Sequence, residues 1–186
     1  MRASQKDLEA MRLPPAVMAL ATGAYPHPLF EGYCLPPNDD CFPNGRYDEA
    51  TPDDPDDLAI PLWEHGDSLY EVGVWGVFCF RSEAGELEYW SYDRWFKGPT
   101  EPDELIAVHE QGLFFWVFWT IVDYHNESGE AWKTPLIAAA ESIGFHHLDK
   151  VIAFHKGNTS KDWKERLKAQ CLSLRGVASS QGEPGA

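Results

Sequence analysis

The sequence predicts an α+β fold, in which an antiparallel meander sheet is flanked by N-terminal and C-terminal helices, with additional C-terminal helices. Two observations carry this prediction. A block rich in β-branched and aromatic residues occupies the middle of the chain over 59–92, and helical patterns lie on either side of it. Hydrophobic residues make up 44% of the 186 residues and aromatic residues 13%, which is enough for a packed core and excludes wholesale disorder.

The N-terminal part predicts two short helices. Ser4 is a favoured N-cap for the first, over 4–12, and Pro15 opens the second, which Gly23 closes. The apolar stretch 16–21 follows basic residues and imitates a secretory signal peptide. Its six residues fall short of the ~7–15 that such a segment needs. We therefore expect this part of the chain to belong to the fold.

Three segments predict the strands of the meander. Ala84 and Gly85 supply a hairpin turn before the last of them. Gly73 and Gly76 mark a bulge or a close approach of the backbone. Because the last strand alternates apolar and polar residues, we expect one sheet face to be buried and the other to meet water. The three strands are expected at 59–63, 68–80 and 87–92.

The segment 102–125 predicts a long helix. Thr100 and Pro102 form a helix start. The apolar run 113–122 leaves a second interpretation open, a buried strand after a helix that Gly112 ends, since periodicity does not separate the two. A bilayer-spanning helix needs about 20 apolar residues, so this run predicts core and not a membrane span. Apolar residues recur in the segment at helical spacing: Leu105, Val108, Phe115 and Trp119.

Two further helices are predicted at 135–143, ended by Gly144, and at 160–174. The composition of 176–186 predicts a flexible tail. We expect a single α+β domain over 1–175, of which 130–175 is a helical extension. The sequence leaves open whether this extension packs on the domain or swaps between chains.

The acidic balance is the most unusual feature of the composition. Fifteen Lys and Arg residues face 30 Asp and Glu residues, a net charge of −15. Such a chain repels phosphate backbones and anionic lipids, so we expect no nucleic-acid and no membrane partner. The same negative charge attracts a basic protein, which is the partner we expect. One loop concentrates eight carboxylates against a single arginine, Arg46. These carboxylates belong to Asp39, Asp40, Asp48, Glu49, Asp53, Asp54, Asp56 and Asp57.

No motif in the chain points to a reaction or a cofactor. The seven histidines lack the paired spacing of a zinc site, and the acidic loop lacks the glycine and the final glutamate of a calcium loop. Nucleophile-elbow and phosphate-loop patterns are absent. We expect no catalytic, metal-binding or cofactor-binding residue and no enzymatic activity. An open alternative is a carbohydrate-active or hydrolytic cleft, in which Glu88 and Asp93 lie beside Trp90 and Trp95.

The four cysteines show no CxxC pair, which indicates reduced thiols and a cytoplasmic location. Cys79 lies inside the apolar run 77–80, where it is expected to act as a small buried hydrophobe. Cys34 and Cys41 are close enough in sequence to bridge across a loop, and their spacing alone leaves that pairing open.

The order and spacing of these segments resemble the SUKH superfamily, which includes many bacterial toxin-immunity proteins and a yeast regulator of cell-wall synthesis. Leu8 and Glu9, followed by 13–17, look like its opening helix and Leu-Pro step. The strands at 59–63, 69–80 and 87–92 are similar to its central meander. Residues 106–108 and the aromatic run 114–116 look like its closing helix. The likeness covers about 8–125.

The resemblance implies a domain that binds a protein and neutralises it, often a secreted toxin. The charge fits independently, because a nuclease toxin has a basic surface onto which an acidic inhibitor is steered. We expect the eight carboxylates of the acidic loop, with Trp63 and Tyr70 as exposed aromatic anchors at its edge, to form the partner-binding surface. A regulatory scaffold without a toxin partner is the open alternative within the same resemblance.

Overall fold

The computed structural model describes residues 3, 5–37, 60–65, 74–82, 84–94, 104–124, 131–157 and 161–174. In this part of the chain, two short α-helices precede an antiparallel sheet, and four α-helices follow it. The architecture confirms the α+β class, with helices on both sides of the sheet in sequence.

The two predicted N-terminal helices are present. They are α1 (Gln5–Ala10) and α2 (Pro15–Thr22), and Gly23 closes α2 with a φ of 81°. Its backbone N–H donates to the carbonyl of Leu20, as the sequence predicts for a glycine cap. A short 3₁₀ helix (Pro28–Gly32) comes next and leads the chain towards the sheet.

The sheet is an antiparallel meander in which each strand pairs with the next along the chain. The predicted hairpin turn is confirmed, because Gly85 lies in the left-handed region with a φ of 80°. An isolated bridge between Leu35 and Glu64 joins the segment after the 3₁₀ helix to the first strand. The four strands are β1 (Ile60–His65), β2 (Val74–Arg81), β3 (Leu87–Arg94) and β4 (Glu104–Ala107).

The two faces of the sheet pack against different neighbours. Val77 and Tyr89 belong to the main core beneath the helices, whereas Phe78 and Tyr92 form a separate aromatic cluster on the opposite face. Gly76 marks the predicted close approach. A Cβ at this position would lie 1.9 Å from Cζ of Tyr92, whose ring occupies the space that a larger residue would need.

The helix predicted over 102–125 is wrong in its first part. Residues 104–107 form β4, which pairs with β3 so that Leu105 lies opposite Trp90 and Ala107 opposite Tyr89. The sheet supplies backbone hydrogen-bond partners that the isolated segment lacks, and this pairing overrides the helical spacing of the apolar residues.

The apolar run 113–122 lies in a helix, α3 (Glu110–Tyr124), which settles the alternative of a buried strand. The helix packs against β4 on one side and against the C-terminal helices on another. Residues Leu113–Phe118 are all buried. Because nearly every side of α3 meets protein, its sequence is apolar around most of the helix and shows little periodicity.

The second and third of the three C-terminal helices pack on α3, and the first packs against the 3₁₀ helix and the second. The extension is therefore part of the same hydrophobic core as the sheet. Gly112 permits the closest contact, since a Cβ there would lie 2.2 Å from the carbonyl oxygen of Cys171. Gly144 ends the first of these helices with a φ of 67°, as predicted. The second was not predicted. The three helices are α4 (Lys133–Ser142), α5 (Leu148–Lys156) and α6 (Trp163–Ser173).

Candidate functional site

A pocket of about 270 Å³ opens between the helix-facing side of the sheet, α3 and α6. The sheet contributes residues from β1, β3 and β4, including Ser91, Glu104 and Ile106. Much of the wall is nevertheless aromatic. Its rings belong to His65, Trp116, Trp119, Tyr124 and Trp163.

Helix α3 places one row of side chains along the pocket. Trp116, Thr120 and Asp123 follow one another at intervals of four and three residues, which brings them to one face of the helix. Trp119 stacks on Trp163 of α6, with ring centroids 5.0 Å apart and an interplanar angle of 28°. The ammonium of Lys164 lies 5.6 Å from the ring centroid of Trp163, a cation–π distance.

His65, the last residue of β1, sits among aromatic rings. It stacks on Tyr33 at a centroid distance of 4.9 Å and meets Tyr124 edge-on at 6.3 Å. Burial lowers the pKa of His65 to about 4, because the charged imidazolium loses its hydration there. The ring is therefore neutral at physiological pH.

Two nitrogens of the aromatic wall are buried without a hydrogen-bond partner in the described structure. They are Nδ1 of His65 and Nε1 of Trp119. An indole N–H is only a donor, so the Trp119 nitrogen lacks an acceptor. A buried donor without an acceptor costs about 1–3 kcal/mol. Such groups are uncommon in folded proteins, which makes these two a feature of the pocket to be explained.

Carboxylates with basic neighbours lie at the rim of the pocket. Nζ of Lys168 is 2.8 Å from Oε1 of Glu104, and this pair ties α6 to β4. On another side, Nδ1 of His155 is 3.5 Å from Oδ1 of Asp123. Each carboxylate at the rim thus has a basic group beside it, and the pocket combines an aromatic interior with a paired, charged edge.

Two buried thiols of the described structure are poor nucleophiles. Cys34, Cys79 and Cys171 are all buried. Burial raises the pKa of both Cys79 and Cys171, which keeps them as thiols at neutral pH. Cys41 lies outside the described residues. The arrangement in the pocket is therefore one that binds a ligand by stacking, hydrogen bonds and charge, with Cys171 acting as part of the apolar wall.

The predicted partner-binding residues fall largely outside the described residues. Trp63 is described, and the expectation that it is an exposed anchor is wrong, because its side chain is only 1% exposed. It lies on the helix-facing side of β1 opposite Val77 and is part of the main core. The others lie outside the description: Asp39, Asp40, Asp48, Glu49, Asp53, Asp54, Asp56, Asp57 and Tyr70.

The structure places Trp90, beside which the alternative cleft was expected, away from the 270 Å³ pocket. Trp90 lies on the sheet face opposite the helices, where it packs against Phe80. Its indole N–H donates to Oε2 of Glu88 at 3.0 Å. Trp95 lies outside the described residues, and the 270 Å³ pocket is on the other side of the sheet.

Sequence reasoning missed the pocket because its wall comes from distant segments of the chain. A signal was present in α3, where Trp116, Trp119 and Asp123 share a helix face. Nothing in the sequence placed them near His65, which is at least 51 residues away, or near Trp163, which is at least 40 residues away.

In the described residues, no group of three or more His, Cys, Asp or Glu side chains is arranged to hold a metal ion. The helices described here also include none that combines the length and apolar character needed to cross a membrane. Comparisons with protein-family models, curated proteins and solved structures gave no match to this chain. The fold and the site define an α+β protein with an aromatic pocket between its sheet and its C-terminal helices.

Proposed function

We propose that this chain is an acidic protein-binding module that captures and neutralises a basic protein, as an immunity protein does with a secreted toxin. The observation that carries the proposal is the uneven distribution of charge. Residues 1–130 contain 25 acidic and 7 basic side chains, a net charge of −18, whereas residues 131–186 contain 5 acidic and 8 basic side chains, a net of +3.

This separation concentrates the negative potential on the part of the chain that holds the acidic loop. A concentrated potential steers an oppositely charged protein into a preferred orientation and raises the association rate. A rapid association suits an inhibitor that must act before its target does damage. The resemblance to the SUKH superfamily supports the same interpretation, and the α+β class agrees with it.

The proposal is tested by identifying the partner and then measuring its association rate. The immobilised chain is used to capture proteins from the native host, and the captured proteins are identified by mass spectrometry. We expect a basic protein with a toxic activity that the chain inhibits in a direct assay. Capture of a basic protein without such an activity favours the regulatory scaffold, and an acidic partner contradicts the proposal.

The acidic loop is then tested with the purified partner. A variant in which Asp53, Asp54, Asp56 and Asp57 are replaced by Asn is expected to associate about tenfold more slowly at low ionic strength. The difference should shrink in about 0.5 M salt, where charges more than a few ångströms apart are screened. An unchanged rate and salt dependence would remove the loop from the proposal.

A matched control separates the loop from the total charge. Four exposed glutamates elsewhere are replaced by Gln, which changes the net charge by the same amount. If this control slows association as much as the loop variant does, total charge and not the loop governs the encounter. The four control positions are Glu9, Glu31, Glu86 and Glu141.

A further inference from the structure

The pocket between the sheet, α3 and α6 has the size of a small planar ligand. A cavity of about 150 Å³ in another protein accommodates benzene. At about 270 Å³, this pocket has room for a fused two-ring system with a short side arm. The flat rings of Trp119 and Trp163 in its wall offer stacking surfaces, which favours an aromatic ligand over a compact aliphatic one.

The buried nitrogens of the wall indicate which polar group the ligand brings. Nε1 of Trp119 is a donor without an acceptor in the described structure. A ligand's carboxylate becomes an acceptor for this donor only when the Trp119 ring turns its N–H towards the pocket, because the nitrogen has less than 1 Å² of accessible surface in this structure. Nδ1 of His65, which also lacks a partner there, is buried to the same degree, so a ligand in the pocket does not reach it without a similar turn of the ring.

The charges around the pocket favour an anion. Helix α6 brings the ammonium groups of Lys164 and Lys168 to the wall. Lys164 already lies over the ring of Trp163, so a cationic ligand seeking that aromatic surface meets a like charge. The carboxylate of Glu104 is paired with Lys168, and that of Asp123 faces His155.

We propose that this pocket is a binding site for a small aromatic carboxylate, whose ring stacks in the tryptophan-lined wall and whose anionic group meets Trp119 and the lysines of α6. This site is separate from the acidic loop, and its ligand is a small molecule and not the protein partner. The ligand would bridge β4, α3 and α6, and would therefore also hold α6 against the rest of the fold.

Three indole compounds that differ in charge test the proposal. They are indole-3-acetate, neutral indole-3-acetamide and cationic tryptamine, and their binding to the full chain is measured by calorimetry. A ligand of about 13 heavy atoms with ordinary efficiency binds with a dissociation constant of about 1 mM or tighter, which we expect for the acetate. We expect the amide to bind more weakly and tryptamine at least about tenfold more weakly.

The indole N–H signals in a ¹⁵N-correlated NMR spectrum locate the ligand. Trp119→Phe assigns the signal of Trp119, which we expect to shift on addition of indole-3-acetate, while the signal of Trp90 on the opposite sheet face stays in place. Absence of binding of indole-3-acetate at 10 mM to the folded chain overturns the proposal. Binding of tryptamine as tight as that of the acetate also overturns it.

The contribution of charge is tested by replacing one lysine of the pocket wall, with an exposed lysine elsewhere as the matched control. Lys164→Gln is expected to weaken indole-3-acetate up to about fivefold and to leave the amide unchanged, because it removes one partly exposed charge interaction. Lys150→Gln makes the same change of net charge on α5, away from the pocket wall, and is expected to have no effect. Equal weakening by both variants would contradict the proposed site. If the chain does not bind the indole compounds in this way, the proposal that it captures a basic protein is unaffected, since that proposal depends on other residues.

Discussion

His65 shows how one side chain ties stability to pH. It ends β1 beneath the rings of Tyr33 and Tyr124, and burial holds it in the neutral form by lowering its pKa from 6.5 to about 4. In the unfolded chain the same residue binds a proton below pH 6.5. Protonation therefore favours unfolding, and the contribution of His65 to stability is complete above pH 6.5 and is lost as the pH falls towards 4.

We expect the free energy of unfolding to fall by up to about 3 kcal/mol through this residue between pH 6.5 and 4. Urea unfolding of the native chain and of His65→Gln across this range measures the effect, because the carboxylates that also titrate there are common to both. His146→Gln, at an exposed histidine, is the control and should behave like the native chain. Parallel pH profiles for the native chain and His65→Gln would contradict the prediction.

At the scale of elements, the contact between α3 and α6 depends on a missing side chain. The backbone of Gly112 passes so near the carbonyl of Cys171 that a Cβ would come within 2.2 Å of its oxygen. This neighbour is backbone and cannot rotate away, so the two helices must move apart when a methyl group is added.

We expect Gly112→Ala to lower the free energy of unfolding by about 2 kcal/mol or more, the cost of overpacking a tight interface. Gly157→Ala is the control, since its Cβ would come no nearer than 3.4 Å to the carbonyl oxygen of Ala153. Urea denaturation of both variants provides the comparison. Equal stability of Gly112→Ala and the native chain would show that α6 does not press on α3 at this point.

The elements also show how far sequence reasoning reaches. Where a local signal decides, as at Gly23, Gly85 and Gly144, the predicted helix ends and the hairpin turn are confirmed. The boundary between β4 and α3 was missed because pairing with β3, a contact at a distance along the chain, decides it. The pocket depends on such contacts throughout, so the sequence provided only the α3 part of it. The acidic loop stays a prediction.

At the scale of the whole molecule, one core runs from Leu8 to Leu174 through the sheet and both sets of helices. The last helix buries Leu167, Cys171 and, just after its end, Leu174. Each of the two leucines contributes roughly 1.5–3 kcal/mol when fully buried, against a total stability of about 5–15 kcal/mol for a typical protein. The last helix therefore holds a large share of the stability.

We expect a chain that ends at residue 157 to lose cooperative unfolding, because removal of α6 uncovers the side of α3 at Gly112 and the wall of the pocket. Differential scanning calorimetry measures this as the loss of a single sharp transition. A chain that ends at residue 174 keeps α6 and serves as the control. If the shorter chain unfolds in a sharp transition at the unfolding temperature of the native chain, the fold does not require α6.

Because Cys171 is buried, the rate at which its thiol reacts reports how often the last helix opens. A thiol that is 1% exposed and held in its protonated form reacts with an alkylating reagent only after the helix around it lifts away. In a chain with its other cysteines replaced by serine or alanine, the labelling rate of Cys171 would time the opening of this edge of the molecule. Any compound that clamps the helix down would then slow the labelling.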